Sequence, residues 1–321
     1  MGKVGGGRNF GYGKRMDWAG KNALEDRYGN GRFATQAAHQ ARWATFCEFA
    51  RERGVRDARN VTAELLSSYG THLGDRVGQG EMKVAYAQNL LSSVNVVLQA
   101  LRHDAKLWVS PADCVGDREH ARTTAPLGLD RSKVDAVIQE LEARGEHRIA
   151  AAVGLMRYQG LRMREAFLFD AREGAKQFAQ RGAINVIHGT KGGRGREVER
   201  WVPVLDGAAR AAIAKAEVVQ GDGKNLLPAE TSWVVWRDHA YSVYRQLAAQ
   251  HGIATGFHDL RAAFAVERFE LYAGAPAPVN GGSRISSSPA QIAAAERLAY
   301  ELGHGRTDVL KHYIGSFATA G

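Results

Sequence analysis

Between Glu81 and Leu107 the apolar residues Val84, Ala87, Leu91, Val94, Leu98, Leu101 and Ala105 recur in alternating steps of three and four. That period lays them along one stripe of a helix, a seam that neighbouring helices must cover. A cofactor box is a far weaker account of the same pattern. Upstream, Trp43, Phe46, Cys47 and Ala50 follow the spacing of a second buried helical face. Thr62 stands as an N-cap before a third, carrying Leu65, Leu66 and Tyr69. Residues 33–107 therefore read as a compact all-helical domain.

The flanking segments read differently. Residues 1–32 are rich in glycine and basic side chains, Lys14 and Arg15 among them, with Phe10, Tyr12 and Trp18 interspersed. No apolar period runs through them, which predicts a flexible basic arm, either a solvated tail or a segment that touches DNA backbone. Residues 108–129 hold Pro111, Pro126 and both signs of charge without periodicity, and read as a linker. A second domain, 130–321, opens with Asp130 as an N-cap before Val134, Val137, Ile138 and Leu141. A further helix turns Ile149, Val153 and Met156 inward and stops near Gly160. Segments 183–187 and 198–202 read as two strands joined by a glycine-rich turn. Helices are expected over about 206–220, 237–251, 259–272, 290–302 and 307–314, and 273–289 is a long insertion with loop chemistry. The fold class is mainly α with a small β-sheet, an α+β chain.

Bulk properties narrow the partners. A formal net charge of +9 over 321 residues favours a polyanion, because each Lys or Arg set against a phosphate releases a condensed counterion. No apolar run approaches the ~20 residues of a membrane span, and Met1 to Gly7 lack the apolar core of a secretion signal, so a cytoplasmic, nucleoid-associated protein is expected. Of the two cysteines, Cys47 lies on an apolar stripe and reads as a core thiol; with Cys114 it forms no paired zinc pattern.

Four short segments carry the chemistry: Gly160-Leu161-Arg162-Met163-Arg164-Glu165, Thr190-Lys191-Gly192-Gly193-Arg194, His258-Asp259-Leu260-Arg261, and Leu302-Gly303-His304 with Tyr313 nine positions after the histidine. Breaking a phosphodiester with a side chain requires stabilised charge on the non-bridging oxygens, a proton for the leaving 5′ oxygen, and a nucleophile in line. Guanidinium suits the first need, since its planar fork bonds two phosphate oxygens and stays charged, and Arg162 and Arg261 are the pair for it. Glu165, one turn from Arg162, would hold that guanidinium. Lys191, its ammonium made less stable by the arginines, suits proton donation. His258 can assist proton transfer or bond the phosphate, His304 can bond a non-bridging oxygen, and Tyr313 can attack to give a phosphotyrosyl ester. Taken singly, each has a plainer role: a surface arginine, a solvated turn, a structural histidine, a core phenol. Tyr241, Tyr244 and Tyr300 compete with Tyr313.

In this order and spacing the segments resemble the tyrosine recombinase, or phage-type integrase, family. The motifs match from about 130 to 314, and residues 33–107 match only as a helical core-binding domain. The resemblance implies a catalytic set of Arg162, Lys191, His258, Arg261, His304 and Tyr313, with no cofactor and no metal. It implies double-stranded DNA as partner, a homotetramer on two sites, a 3′-phosphotyrosine intermediate, and an accessory directionality factor. Lys14, Arg15, Arg194 and Arg196 are candidates for DNA contact. Ala262 stands after Arg261 where many relatives place a histidine. A type IB topoisomerase and a catalytically silent DNA-binding accessory protein remain as alternatives.

Overall fold

The computed structural model describes residues 6–190, 197–282 and 288–316. The chain divides into two compact units, one through Glu119 and the other from His120.

The first unit holds helices α1 (Met16–Tyr28), α2 (Phe33–Glu52), α3 (Ala63–Gly78), α4 (Val84–Arg102) and the short α5 (Pro111–Val115). The α4 seam buries Ala87, Leu91, Val94, Leu98 and Leu101 completely. The helix ends three residues earlier than the apolar period, because His103 takes a left-handed conformation, φ 58°, that leaves Ala105 outside. Thr62 caps α3 through a 3.3 Å bond to Leu65 N. Cys47 is buried in the same core.

Two expectations fail in this unit. The described part of the expected arm, 6–32, is not loose, because α1 packs into the core through Met16, Ala19, Ala23 and Leu24. The contact is made by small residues: a Cβ on Gly20 would lie 2.3 Å from Trp43 Nε1, so only glycine admits the ring. The indole then donates to Met16 O at 2.9 Å. Likewise, residues 108–129 are not a featureless linker. Ser110 caps α5, α5 packs on α3 and α4, and the unit boundary falls after it.

The second unit runs α6 (Arg131–Ala143), α7 (His147–Gln159), α8 (Met163–Leu168), α9 (Ala171–Arg181), β1 (Ala183–Asn185), β2 (Trp201–Pro203), α10 (Gly207–Gln220), α11 (Trp233–Gln250), α12 (Phe257–Ala273), α13 (Pro289–Glu301) and α14 (Lys311–Ile314). Asp130 caps α6 through Lys133 N at 3.2 Å, and Asp206 caps α10 through Ala209 N at 2.8 Å. The strands pair antiparallel with Ile184 opposite Val202, both buried, and are shorter than their apolar segments suggest. Helix α7 is buried from Ile149 to Gln159, and α12 packs beside it. Between them Arg157, fully buried, donates to Glu267 at 2.9 Å and to Gly128 O at 2.6 Å.

Gly160 ends α7 with φ +64°, and Phe264 fills the space a Cβ would occupy. Arg162 therefore opens α8 rather than closing α7. In the 273–289 insertion, the described part is folded: Ala277 is buried and donates its N–H to Glu270 at 2.9 Å. No helix among the described residues is long and apolar enough to cross a membrane.

Candidate active site

The site is assembled around one carboxylate. Glu165 lies in the first turn of α8, fully buried, where its Oε2 accepts from Arg162 N at 2.7 Å and its Oε1 from Arg162 Nη1 at 2.7 Å. This closes a capping box that fixes the arginine at the helix entrance. Arg200, just before β2, bonds both oxygens, Nη1 to Oε1 at 2.8 Å and Nη2 to Oε2 at 3.0 Å. Arg261 of α12 brings Nη1 to 3.7 Å from Oε2. Burial alone would raise the Glu165 pKa; the three guanidiniums overturn that and hold it down to about 2. The acid is thus ionised in any solution the protein meets.

The two phosphate-binding candidates differ in circumstance. Arg261 is enclosed: Nη1 donates to Gly160 O, Nη2 to Leu302 O, and Nε lies 3.5 Å from the Tyr313 hydroxyl. Desolvation pushes its pKa down to about 10, with the Arg162 and Arg200 charges adding to the effect. Arg162 keeps 26% of its side chain open, and its Nη2 stands 3.5 Å from His304 Nε2. The sequence offers them as an equal pair; the structure gives Arg162 the open face and ties Arg261 to the framework.

Tyr313, on α14, sits where these groups meet. Its hydroxyl is 3.3 Å from His304 Nε2, and its ring stacks on His258 with centroids 5.1 Å apart and 17° between planes. The guanidinium of Arg261 lies 5.6 Å from the ring centre. His304 is half-buried, and desolvation together with Arg261, Arg162 and Arg200 pushes its pKa down to about 3. Desolvation against Tyr313, then the charges of Arg261, Arg122 and Arg162, push His258 down to about 4. That ring keeps an exposed edge, so the arginine charges are the firmer part of its shift. Both imidazoles are neutral at physiological pH.

The rival tyrosines have other surroundings. Tyr244 is a core ring stacked on Phe257, Tyr241 packs against the same ring, and the Tyr300 hydroxyl bonds Trp201 N and Glu199 O. Lys191, Arg194 and Arg196 lie outside the described residues. In the first unit, Lys14 and Arg15 are exposed, and Arg15 pairs with Asp17 at 2.6 Å. Among the described residues no cluster of His, Cys, Asp or Glu is arranged to hold a metal ion.

Sequence reasoning missed Arg200. It stands 35 positions from Glu165, with no helical or strand period to link them. The one available hint is physical: an acid in the apolar interior needs more positive charge than one neighbour supplies.

Residues 119–267 match the family model described as Integrase. Over that span, a little under half of the chain, it resembles the integrase family. A lambda integrase dimer bound to a COC′ core site is similar across 95% of this chain and 96% of that one, at 15% identity and a TM-score of 0.56. A lambda integrase tetramer bound to a Holliday junction matches at 13% identity and 0.57, covering 91% and 75%. The Tn1549 transposon integrase in complex with circular intermediate DNA matches at 12% identity and 0.58, covering 96% and 97%. At such identities the likeness is one of fold, shared with those integrases. A search of curated proteins by sequence finds no match.

Proposed function

We propose that this chain is a site-specific DNA recombinase of the integrase family that cuts and rejoins duplex DNA through a 3′-phosphotyrosine, using neither metal nor ATP. The observation that carries the reading is the Tyr313 hydroxyl held between Arg261 Nε and His304 Nε2, beside an open Arg162. A phosphate against Arg162 would receive charge-assisted bonds from a fork already oriented by Glu165. Those bonds strengthen as negative charge grows on the non-bridging oxygens during attack by the phenol. Neutral His304 can take the phenolic proton or bond a non-bridging oxygen. Lys191 is the candidate proton donor to the 5′ oxygen. The phosphotyrosyl ester keeps the bond energy for rejoining, which removes any need for ATP.

The DNA bound in the similar solved structures, and the tetramer on a Holliday junction among them, support duplex DNA as partner and a homotetramer as the working assembly. An accessory factor that sets direction fits the same reading, as does a place at the nucleoid in the cytoplasm. Lys14, Arg15, Arg194 and Arg196 would contact phosphates; the exposed Arg15–Asp17 pair costs little to open.

The test uses nicked duplexes tiling the DNA that flanks the gene, built so that cleavage releases a short fragment and traps the adduct. A covalent complex that survives EDTA and disappears in Tyr313→Phe, with DNA affinity kept, is the expected result. Sequence-specific binding without any adduct would indicate an accessory protein. Relaxation of any plasmid, with no preferred site, would indicate a type IB topoisomerase.

A further inference from the structure

The segment that carries Tyr313 is four helical residues long and cannot hold its own position. Its neighbours are held by the first residues of the second unit. Arg122 N donates to Lys311 O at 2.7 Å, two residues before the tyrosine. His312 Nδ1 donates to His120 O at 2.5 Å. The same Arg122 sends Nη2 to the buried carboxylate of Asp259 and Nε to Thr124 O at 2.8 Å. Asp259 lies between His258 and Arg261 in chain order, at the start of α12, and its other oxygen accepts from Gly128 N at 2.8 Å. One residue thus joins the stretch 120–124, the helix bearing His258 and Arg261, and the segment bearing the nucleophile.

Resting on the recombinase reading above, we propose that Arg122 is a positioning residue for Tyr313. Its side chain, locked to Asp259, sets the backbone N–H that grips Lys311 O, and so fixes the distance between the phenol and Arg261. A charge-assisted bond to a carboxylate that is 5% exposed is a firm anchor for that purpose. Without it the 120–124 stretch loses its side-chain tie to α12, and the tyrosine segment gains freedom to swing. The effect falls on nucleophile placement, since Arg122 bonds Thr124, Asp259 and Lys311 while Glu165 takes the bonds of Arg162.

The experiment labels the full chain with 3-fluorotyrosine and assigns the Tyr313 fluorine line by its loss in Tyr313→Phe. In Arg122→Met that line is expected to broaden or split, at least twofold in width, while the lines of the other tyrosines stay put. Arg122→Lys, which keeps a charge facing Asp259, should restore part of the sharpness. A Tyr313 line unchanged in Arg122→Met overturns the proposal. This readout needs no DNA, so it stands even if no adduct ever forms and the recombinase reading fails.

With the nicked flanking duplexes at saturation, Arg122→Met should slow adduct formation about tenfold or more and leave affinity within about twofold. In the Tyr313→Phe background, hydrogen peroxide can serve as an outside nucleophile, its oxygen attacking phosphorus and the 5′ oxygen leaving. There the same substitution should cost less than about twofold, because no tyrosine remains to be placed. Equal losses in both backgrounds would contradict a positioning role and assign Arg122 to the phosphate instead.

Discussion

The rim of the site, built on α8, and its floor, built on α12, present the same side chain in opposite circumstances. Arg162 on the rim keeps 26% of its side chain open, and Arg261 on the floor keeps 2%, yet both face the single carboxylate of Glu165. The rim arginine has a nitrogen turned toward His304 and solvent; the floor arginine has its fork given to Gly160 O and Leu302 O. A guanidinium can therefore receive a phosphate or act as a beam, depending on how many of its donors the fold has already claimed. The two substitutions to alanine should separate these roles.

The largest stability effect is expected for Arg261→Ala. It would leave two backbone carbonyls without a donor and strip one charge from a buried acid, a loss of about 3–5 kcal/mol in urea unfolding. A loss under about 1 kcal/mol would break the contrast. Arg162→Ala should do the reverse. Cleavage should slow about 100- to 1000-fold, as for other lost oxyanion donors. Stability should change by only about 1 kcal/mol, since the pair is partly exposed and Arg200 still holds Glu165. Arg162→Lys should recover little of the rate, because a point charge cannot repeat the planar fork.

A smaller effect is expected with pH. His304 titrates near 3 when folded, against about 6.5 for a free imidazole. The unfolded chain therefore takes up a proton that the folded one refuses, and stability should fall as pH drops below about 6.5. Glu165 works in a lower window: its folded pKa near 2 lies below the ordinary 4.5, so its contribution persists above about 4.5 and fades only beneath it. Comparing Tm of the intact chain at pH 7.5 and 5 isolates the histidines, and His304→Gln should flatten the decline. An unchanged slope would show that the ring is not shielded as the geometry implies. The smallest effect, about 1 kcal/mol, is expected for Thr62→Ala in the first unit.

Much of the architecture could be read in the chain because period and caps are local signals. The α4 seam, the Thr62 and Asp130 caps and the paired segments around Ile184 and Val202 each show themselves within a short stretch of chain. The motifs named candidates whose described members, Arg162, His258, Arg261 and His304, lie together around the Tyr313 phenol. What escaped reading depends on distant partners. Arg200 matters through Glu165, and Arg122 through Asp259, 137 positions away. Helix α1 was hidden because it packs by Ala19, Gly20 and Ala23 against Trp43, and such small residues leave no apolar period. Glycine that looks like flexibility in sequence serves there as clearance.

The central claim is that Tyr313 is the group that bonds to phosphorus. Trapping the covalent complex, digesting it with protease and mapping the DNA-linked peptide by mass tests this most directly. The expected result is a single modified peptide with the nucleotide on Tyr313. A nucleotide found on Tyr241, Tyr244, Tyr300 or any other residue would contradict the account.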